Sequence, residues 1–255
     1  MKKSVELNDG SIFECEFIGG IPHGSFIQRY PSGDEIRGTY VYGSAEGPFV
    51  YTFPNGDVRR GNYVKSIPQG KFTCEYADGR KEIGEFIDGI VMGKYTMLYP
   101  NGDLVEGNYI NGVPQGEYVK IHANGMIEKG NFVDSVSQGK VIVKFPNGTL
   151  MEATNKNGKL FGEYKLSWPN GWKEIGTLRD GIKHGKYTIF YANGYEKGTY
   201  VNGIKQGRYI YVFDFGDVEI GNYVDGVEQG KYTYEYANGD IDVGYFIDGV
   251  KDRDM

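Results

Sequence analysis

Gly93-Lys94-Tyr95-Thr96-Met97-Leu98-Tyr99-Pro100-Asn101-Gly102-Asp103-Leu104-Val105-Glu106-Gly107-Asn108-Tyr109-Ile110-Asn111-Gly112-Val113-Pro114-Gln115-Gly116 decides the fold, because the chain repeats this stretch from end to end. A glycine in the place of Gly102 recurs at Gly10, Gly33, Gly56, Gly79, Gly125, Gly148, Gly171, Gly194, Gly216 and Gly239. The step is 23 residues except for one of 22. Three further series, in the places of Gly93, Gly107 and Gly112, bring the glycines in register to 39 of 40. A fixed period of this length marks a repeat architecture, in which each unit buries its apolar face only by stacking on its neighbours.

Within the unit, Pro100-Asn101-Gly102 fits a type I turn closed by a left-handed glycine, which makes a three-residue hairpin loop with a bulge. That loop sets the facing of the strands. Tyr99 then pairs near Asp103, Met97 opposite Val105 and Tyr95 opposite Gly107, and a two-residue turn would exchange the faces. In this register the places of Tyr95, Tyr99, Gly107 and Tyr109 share one face. Those three ring places hold 27 of the 38 aromatic residues. Gly107 then leaves room for the opposing ring, as in aromatic-over-glycine pairs of designed sheets.

Composition agrees with an all-β chain. The 255 residues include 40 Gly, 22 Tyr and 14 Phe but only 7 Leu and 6 Ala, too few helix formers for bundles or doubly wound α/β folds. The expected fold is an elongated, single-layer solenoid of stacked antiparallel β-hairpins with a 23-residue period, one array spanning residues 1–255. Two units break the rules. The unit at about 139–162 has Val141 and Asn155 in ring places and Ala153 for glycine, read either as drift or as a kink or partner site. At about 194–198 one residue is missing, which removes the bulge.

The glycine steps of four, nine, five and five resemble the MORN (membrane occupation and recognition nexus) repeat, over residues 4–250 and about eleven units. Two places depart from the usual signature. Tyr63, Phe86 and Tyr109 stand where Trp is usual, and Phe72, Tyr95, Tyr118 and Tyr187 replace a glycine. The resemblance implies a curved hairpin solenoid and a scaffold or protein-interaction module, in some members self-associating.

No chemistry stands out. His23 and His184 fill a loop place otherwise held by Gln69, Gln115, Gln206 and Gln229, and His122 replaces a ring. Asp34, Asp57, Asp103, Asp217 and Asp240 line up after the turn glycine, read as turn formers or as a row able to hold cations. Cys15 and Cys74 occupy packing places, and two cysteines make neither a disulfide framework nor a Cys-only zinc site. The expectation is therefore a non-enzymatic scaffold or adaptor for protein partners, with no catalytic, cofactor-binding or metal-binding residues. Alternatives are a peripheral membrane or phosphoinositide-binding module and, more weakly, a recognition domain for an enzyme or a small ligand. A charge of −6 favours neither lipid nor nucleic acid. With no signal-peptide pattern, a cytoplasmic protein is expected, associated with cytoskeleton or membrane through a partner.

Two surfaces are candidates for contact. Ile121, Ile127, Ile142 and Leu150 fall on the face opposite the rings, as a partner patch or as ordinary exposed β-formers. Ile241, Val243, Tyr245 and Ile247 lie on the last strand, an uncovered edge expected to form a homodimer. The basic run Lys71, Lys94, Lys140, Lys186, Arg208 and Lys231 reads as a solvated edge or a contact for anionic lipid or acidic protein.

Overall fold

A computed structural model describes residues 2–252. The described residues form antiparallel β-hairpins, and each hairpin pairs with the next. The strand Gly93–Leu98 pairs with Leu104–Ile110, setting Tyr95 opposite Gly107 and Met97 opposite Val105. Across the turn, the Tyr99 N–H donates to the Asp103 carbonyl at 2.8 Å and the Gly102 N–H to the Tyr99 carbonyl at 2.9 Å. Gly102 has φ +88°, as the bulged loop requires.

The other end of the unit is also a tight turn. Asn111 and Gly112 both have positive φ, 51° and 78°, and make a two-residue turn that pairs Ile110 with Val113 and Tyr109 with Pro114. Two successive left-handed residues twist with the strands, so the chain hairpins here too. Gln115 breaks the ladder for one residue, its N–H donating to the Asn108 carbonyl at 2.8 Å, before pairing resumes at Gly116.

Two compact units divide the chain. The first comprises the residues up to Ala123 with Phe132–Ser135, and the second Asn124–Asn131 with Val136 onward. In the first, one face of the sheet buries Phe26, Phe49, Phe72 and Tyr95, which pack on Tyr40, Tyr63, Phe86 and Tyr109 with ring centroids 4.4–4.9 Å apart. In the second, Tyr187, Tyr209 and Tyr232 pack on Tyr200, Tyr223 and Phe246 at 4.4–4.8 Å.

The irregular unit is packed by other means. Val141, Val143 and Ala153 join Tyr164, Leu166 and Leu178 in an aliphatic core, and buried Asn155 donates from Nδ2 to Ser137 Oγ at 2.6 Å. Val141 lies opposite Ala153, so the loss of the ring and the gain of a methyl group offset each other. In the shortened unit Tyr191 pairs with Gly194 directly across Ala192-Asn193, without a bulge, and Tyr187 still lies opposite Gly198.

A Cβ on Gly107 would lie 2.9 Å from Cε1 of Tyr95. Gly107→Val is therefore expected to cost about 1–3 kcal/mol by overpacking, and Tyr95→Ala about 3–5 kcal/mol by loss of a buried ring. The double variant should be less damaged than the sum, with a coupling of about 0.5–3 kcal/mol in denaturant melts. Strict additivity would show that the ring does not cover the glycine.

Candidate protein-interaction surfaces

Units are stitched together at both loop ends by side chains that accept backbone N–H groups from the next unit. At the two-residue turn, Oε1 of Gln115, Gln138, Gln206 and Gln229 accepts the N–H of Asp134, Asn157, Asp225 and Asp248 at 2.7–2.8 Å. His23 and His184 take the same role through Nδ1, on Tyr42 at 3.3 Å and Asn202 at 3.4 Å. These histidines are loop clamps. At the bulged turn, Oδ1 of Asp57, Asp103 and Asp217 accepts the N–H of Ala77, Ala123 and Ala237 at 2.8–3.0 Å. Proline at that place, as at Pro54 after Asp34, has no N–H to give. The Ala123 N–H, acting first, holds Asp103 below the usual carboxylate range. Among the described residues, no group of three or more His, Cys, Asp or Glu is placed to hold a metal ion. Cys15 and Cys74 are free and buried, and burial pushes both thiols up.

The ring face carries buried carboxylates that the sequence reading missed. Glu82, Glu174, Glu196 and Glu219 occupy the inward place of Val105 and are 1–6% exposed. Phenols satisfy them. Tyr76 donates to Glu82, Tyr164 to Glu174 and Tyr187 to Glu196, and Tyr209 donates to Glu219 at 2.8 Å. Ammonium groups complete the network in the second unit: Lys183 on Glu174 at 2.7 Å, Lys205 on Glu196 at 2.8 Å and Lys251 on Glu219. Lys183 and Lys205 also lie over ring pairs, Tyr164 with Tyr200 and Tyr187 with Tyr223, at 4.8–5.5 Å from the centroids. Burial, followed by the carboxylate bond, raises the Tyr164, Tyr187 and Tyr209 phenols well above their ordinary value. The signal was present in the recurrence of an acid three places after the turn glycine at Glu82, Glu174 and Glu219, and two places after it at Glu196 in the shortened unit, and of Lys183, Lys205 and Lys251 where Pro22, Pro68 and Pro114 stand earlier.

The opposite face is exposed and carries apolar side chains in a regular row. At the two-residue turns Ile18 faces Ile21, Val64 faces Ile67, Ile87 faces Ile90 and Ile110 faces Val113. Val201–Ile204 and Val224–Val227 repeat the pair in the second unit. In the irregular unit the pair is Lys156–Lys159. Ile87, Ile90, Ile110 and Val113 are 39–53% exposed. At the rung before them, Ile67 lies beneath the next turn, where a Cβ on Gly89 would be 3.5 Å from its Cγ2.

The two patches singled out from sequence lie as follows. Ile121 is exposed and belongs to the first unit, opposite Leu104. In the second, Ile127 and Leu150 flank Lys144 in one row, while Ile142 sits between Lys129 and Glu152 in the next. Charged residues thus interrupt that patch. Ile241, Val243, Tyr245 and Ile247 are all exposed. Tyr245–Ile247 pairs outward with Val250–Asp252, so the edge is open only along 241–244 among the described residues. The polar tail beyond Asp252 lies outside the described residues.

Glu228 breaks the ring-face pattern, standing in the place of Lys183, Lys205 and Lys251. Burial, then Glu219 and Glu196 nearby, raises its carboxyl above the ordinary range. A carboxyl raised by folding binds its proton more tightly in the folded chain, so it stabilises at low pH and costs stability as pH rises toward the folded value. Glu228→Gln is expected to raise the melting temperature at about pH 7 and to lose that advantage near pH 4, where the unfolded carboxyl also protonates. An equal gain at both pH values would remove the charge from the explanation.

The MORN repeat family model matches residues 37–58 and 220–241. No curated protein matches the chain. Among solved structures, a point mutant of the TCP10 domain of Danio rerio CPAP is similar at 16% identity, covering 94% of this chain and 96% of that one, with a TM-score of 0.38. The SAS-4 (dCPAP) TCP domain of Drosophila melanogaster, in complex with a proline-rich motif of Ana2 (dSTIL), is similar at 17% identity over 70% of this chain and 90% of that one, with a TM-score of 0.39. The chain thus carries MORN repeats at two positions, and its run of β-hairpins is consistent with a MORN repeat protein.

Proposed function

We propose that this chain is a non-enzymatic scaffold that binds protein partners through the aliphatic row at its two-residue turns. The row carries the reading. Branched side chains recur there on a face that could have been polar, although scattered single exposures would need no explanation. Ile87, Ile90, Ile110 and Val113 form two successive rungs of one unit, close enough to make a single apolar stripe. Their exposed sides are left to a partner.

Changing these four residues to Thr keeps β-branching while removing the apolar surface. In affinity purification from native extract, the variant is expected to lose the proteins that the wild type retains by at least about tenfold, with an unchanged melting curve. Retention of the same proteins by the variant would sink the reading.

A second reading, self-association, is favoured by the open edge at 241–244, whose backbone groups are free to extend the sheet. Light scattering at tens of micromolar is expected to show a dimer for the full chain and a monomer for a chain ending at Gly203. A full-length monomer, or a truncation that still dimerises, excludes this edge.

A further inference from the structure

We infer that the outward face of residues 162–235 docks an extended acidic segment of a partner protein. Among the cations that point outward there are Lys165, Lys173, Lys186, Lys197, Arg208 and Lys231. Glu163 and Glu235 oppose them at strand positions of that face, and Lys165 lies opposite Glu152 of the neighbouring strand. The chain as a whole carries −6, so this basic face runs against the overall balance.

Pairing separates this face from the one in the first unit. There the arginines are paired on the sheet, Arg29 with Glu14 and Glu35 at 2.8 and 2.9 Å, Arg37 with Glu35 at 2.6 Å and Arg60 with Glu75 at 3.3 Å, while Lys71 and Lys81 lie opposite Glu85 and Glu75 and Lys94 lies opposite Asn108. Among the described residues, none of the six cations is held in an ion pair; the lysines paired in the second unit are Lys140, Lys159, Lys183, Lys205 and Lys251. The ring-face acids Glu174, Glu196 and Glu219 have their own ammonium groups and point the other way.

A shallow groove of about 510 Å³ gives the face its shape. Lys186 and Arg208 stand on one bank, Lys197 with Ile175 and Ile210 on the other, and the backbone of Gly176 and Gly198 forms the floor. Side chains of an extended segment point alternately to opposite sides. Cations on both banks therefore suit alternating carboxylates, and the two isoleucines suit apolar residues between them. A lipid surface would meet the tips of the cations but would leave the floor unused. The inference rests on the scaffold reading only in taking the ligand to be a protein.

The test is fluorescence anisotropy on the full chain with a labelled peptide of alternating Glu and Val, about eight residues long, beside its Gln–Val counterpart. The Glu peptide is expected to bind at least about tenfold more tightly and to weaken as salt rises. Lys186→Glu with Arg208→Glu should cost at least about tenfold, while Lys94→Glu, at the same register place in the first unit, should change affinity less than about twofold. Exposed charge reversals leave the fold intact, which circular dichroism checks. Equal binding of the two peptides, no binding of either, or an equal loss from Lys94→Glu overturns the inference. So does binding of phosphatidylserine vesicles through Lys186 and Arg208 with no binding of the peptide. The Thr variant of the aliphatic row should bind the peptide as wild type does, so that either proposal can fail alone.

Discussion

The contact between an aromatic ring and the bare backbone of the glycine across from it sets the terms for the rest of the structure. A Cβ added to Gly61, Gly84, Gly107 or Gly221 would come within 2.6–2.9 Å of the ring opposite. The ring lies flat over the strand because nothing stands beneath it, and that leaves its outer edge free to meet the ring of the following strand. The rule is reciprocal. Where the glycine is absent, so is the ring: Cys15 lies opposite Lys3, and Ala153 lies opposite Val141. Stability in such a stack is a sum over neighbours, and a unit that breaks the rule at one place restores packing at the other.

Ring packing alone would let units slide, since one flat aromatic layer resembles another. The clamps remove that freedom. Left-handed turn residues present N–H groups outside the ladder, which must find acceptors. Gln, His or Glu46 from the preceding unit supplies one at the two-residue turn, Glu46 accepting from Lys65 at 3.0 Å. Asp supplies the other at the bulged turn. Each clamp is a single hydrogen bond worth about 0.5–1.5 kcal/mol, so the fixing of register comes from their repetition along the stack rather than from any one bond.

These couplings explain what was legible in advance. The bulged turn, the facing of Tyr95, Met97 and Gly107, and the all-β class follow from local rules whose partners sit within one unit, and there the structure agrees with the sequence reading. The Asp row and the two His required knowledge of the next unit. Asp103 looks like a turn former until Ala123 is seen to donate to it, and His184 looks solvent-facing until Asn202 is placed beside it. Glu174 and Glu196 were hidden by their charge, because a carboxylate on an aromatic face is unexpected until Tyr164 and Lys183 converge on the one, and Tyr187 and Lys205 on the other, each from two separate strands. The aliphatic row was hidden for another reason. Ile110 and Val113 straddle a turn, where apolar residues are easily taken as strand ends.

The two faces answer to different constraints. On the ring face residues are dictated by packing across the strand and against the next unit, and charges such as Lys205 on Glu196 are matched internally, Glu228 excepted. On the outward face the backbone demands only a β-former, and Thr177, Lys186, Ile175 or Glu163 would serve the fold equally well. Yet the outward residues are not distributed evenly. Arginines of the first unit find carboxylates on neighbouring strands, and Lys71 and Lys81 lie opposite Glu85 and Glu75, while Lys186, Arg208 and Lys231 of the second unit lie opposite Thr199, Asn222 and Tyr245. Folding is indifferent to that difference, because exposed ion pairs contribute at most about 1 kcal/mol. An arrangement to which the fold is indifferent, repeated over several strands, is where selection by a ligand rather than by packing leaves its mark.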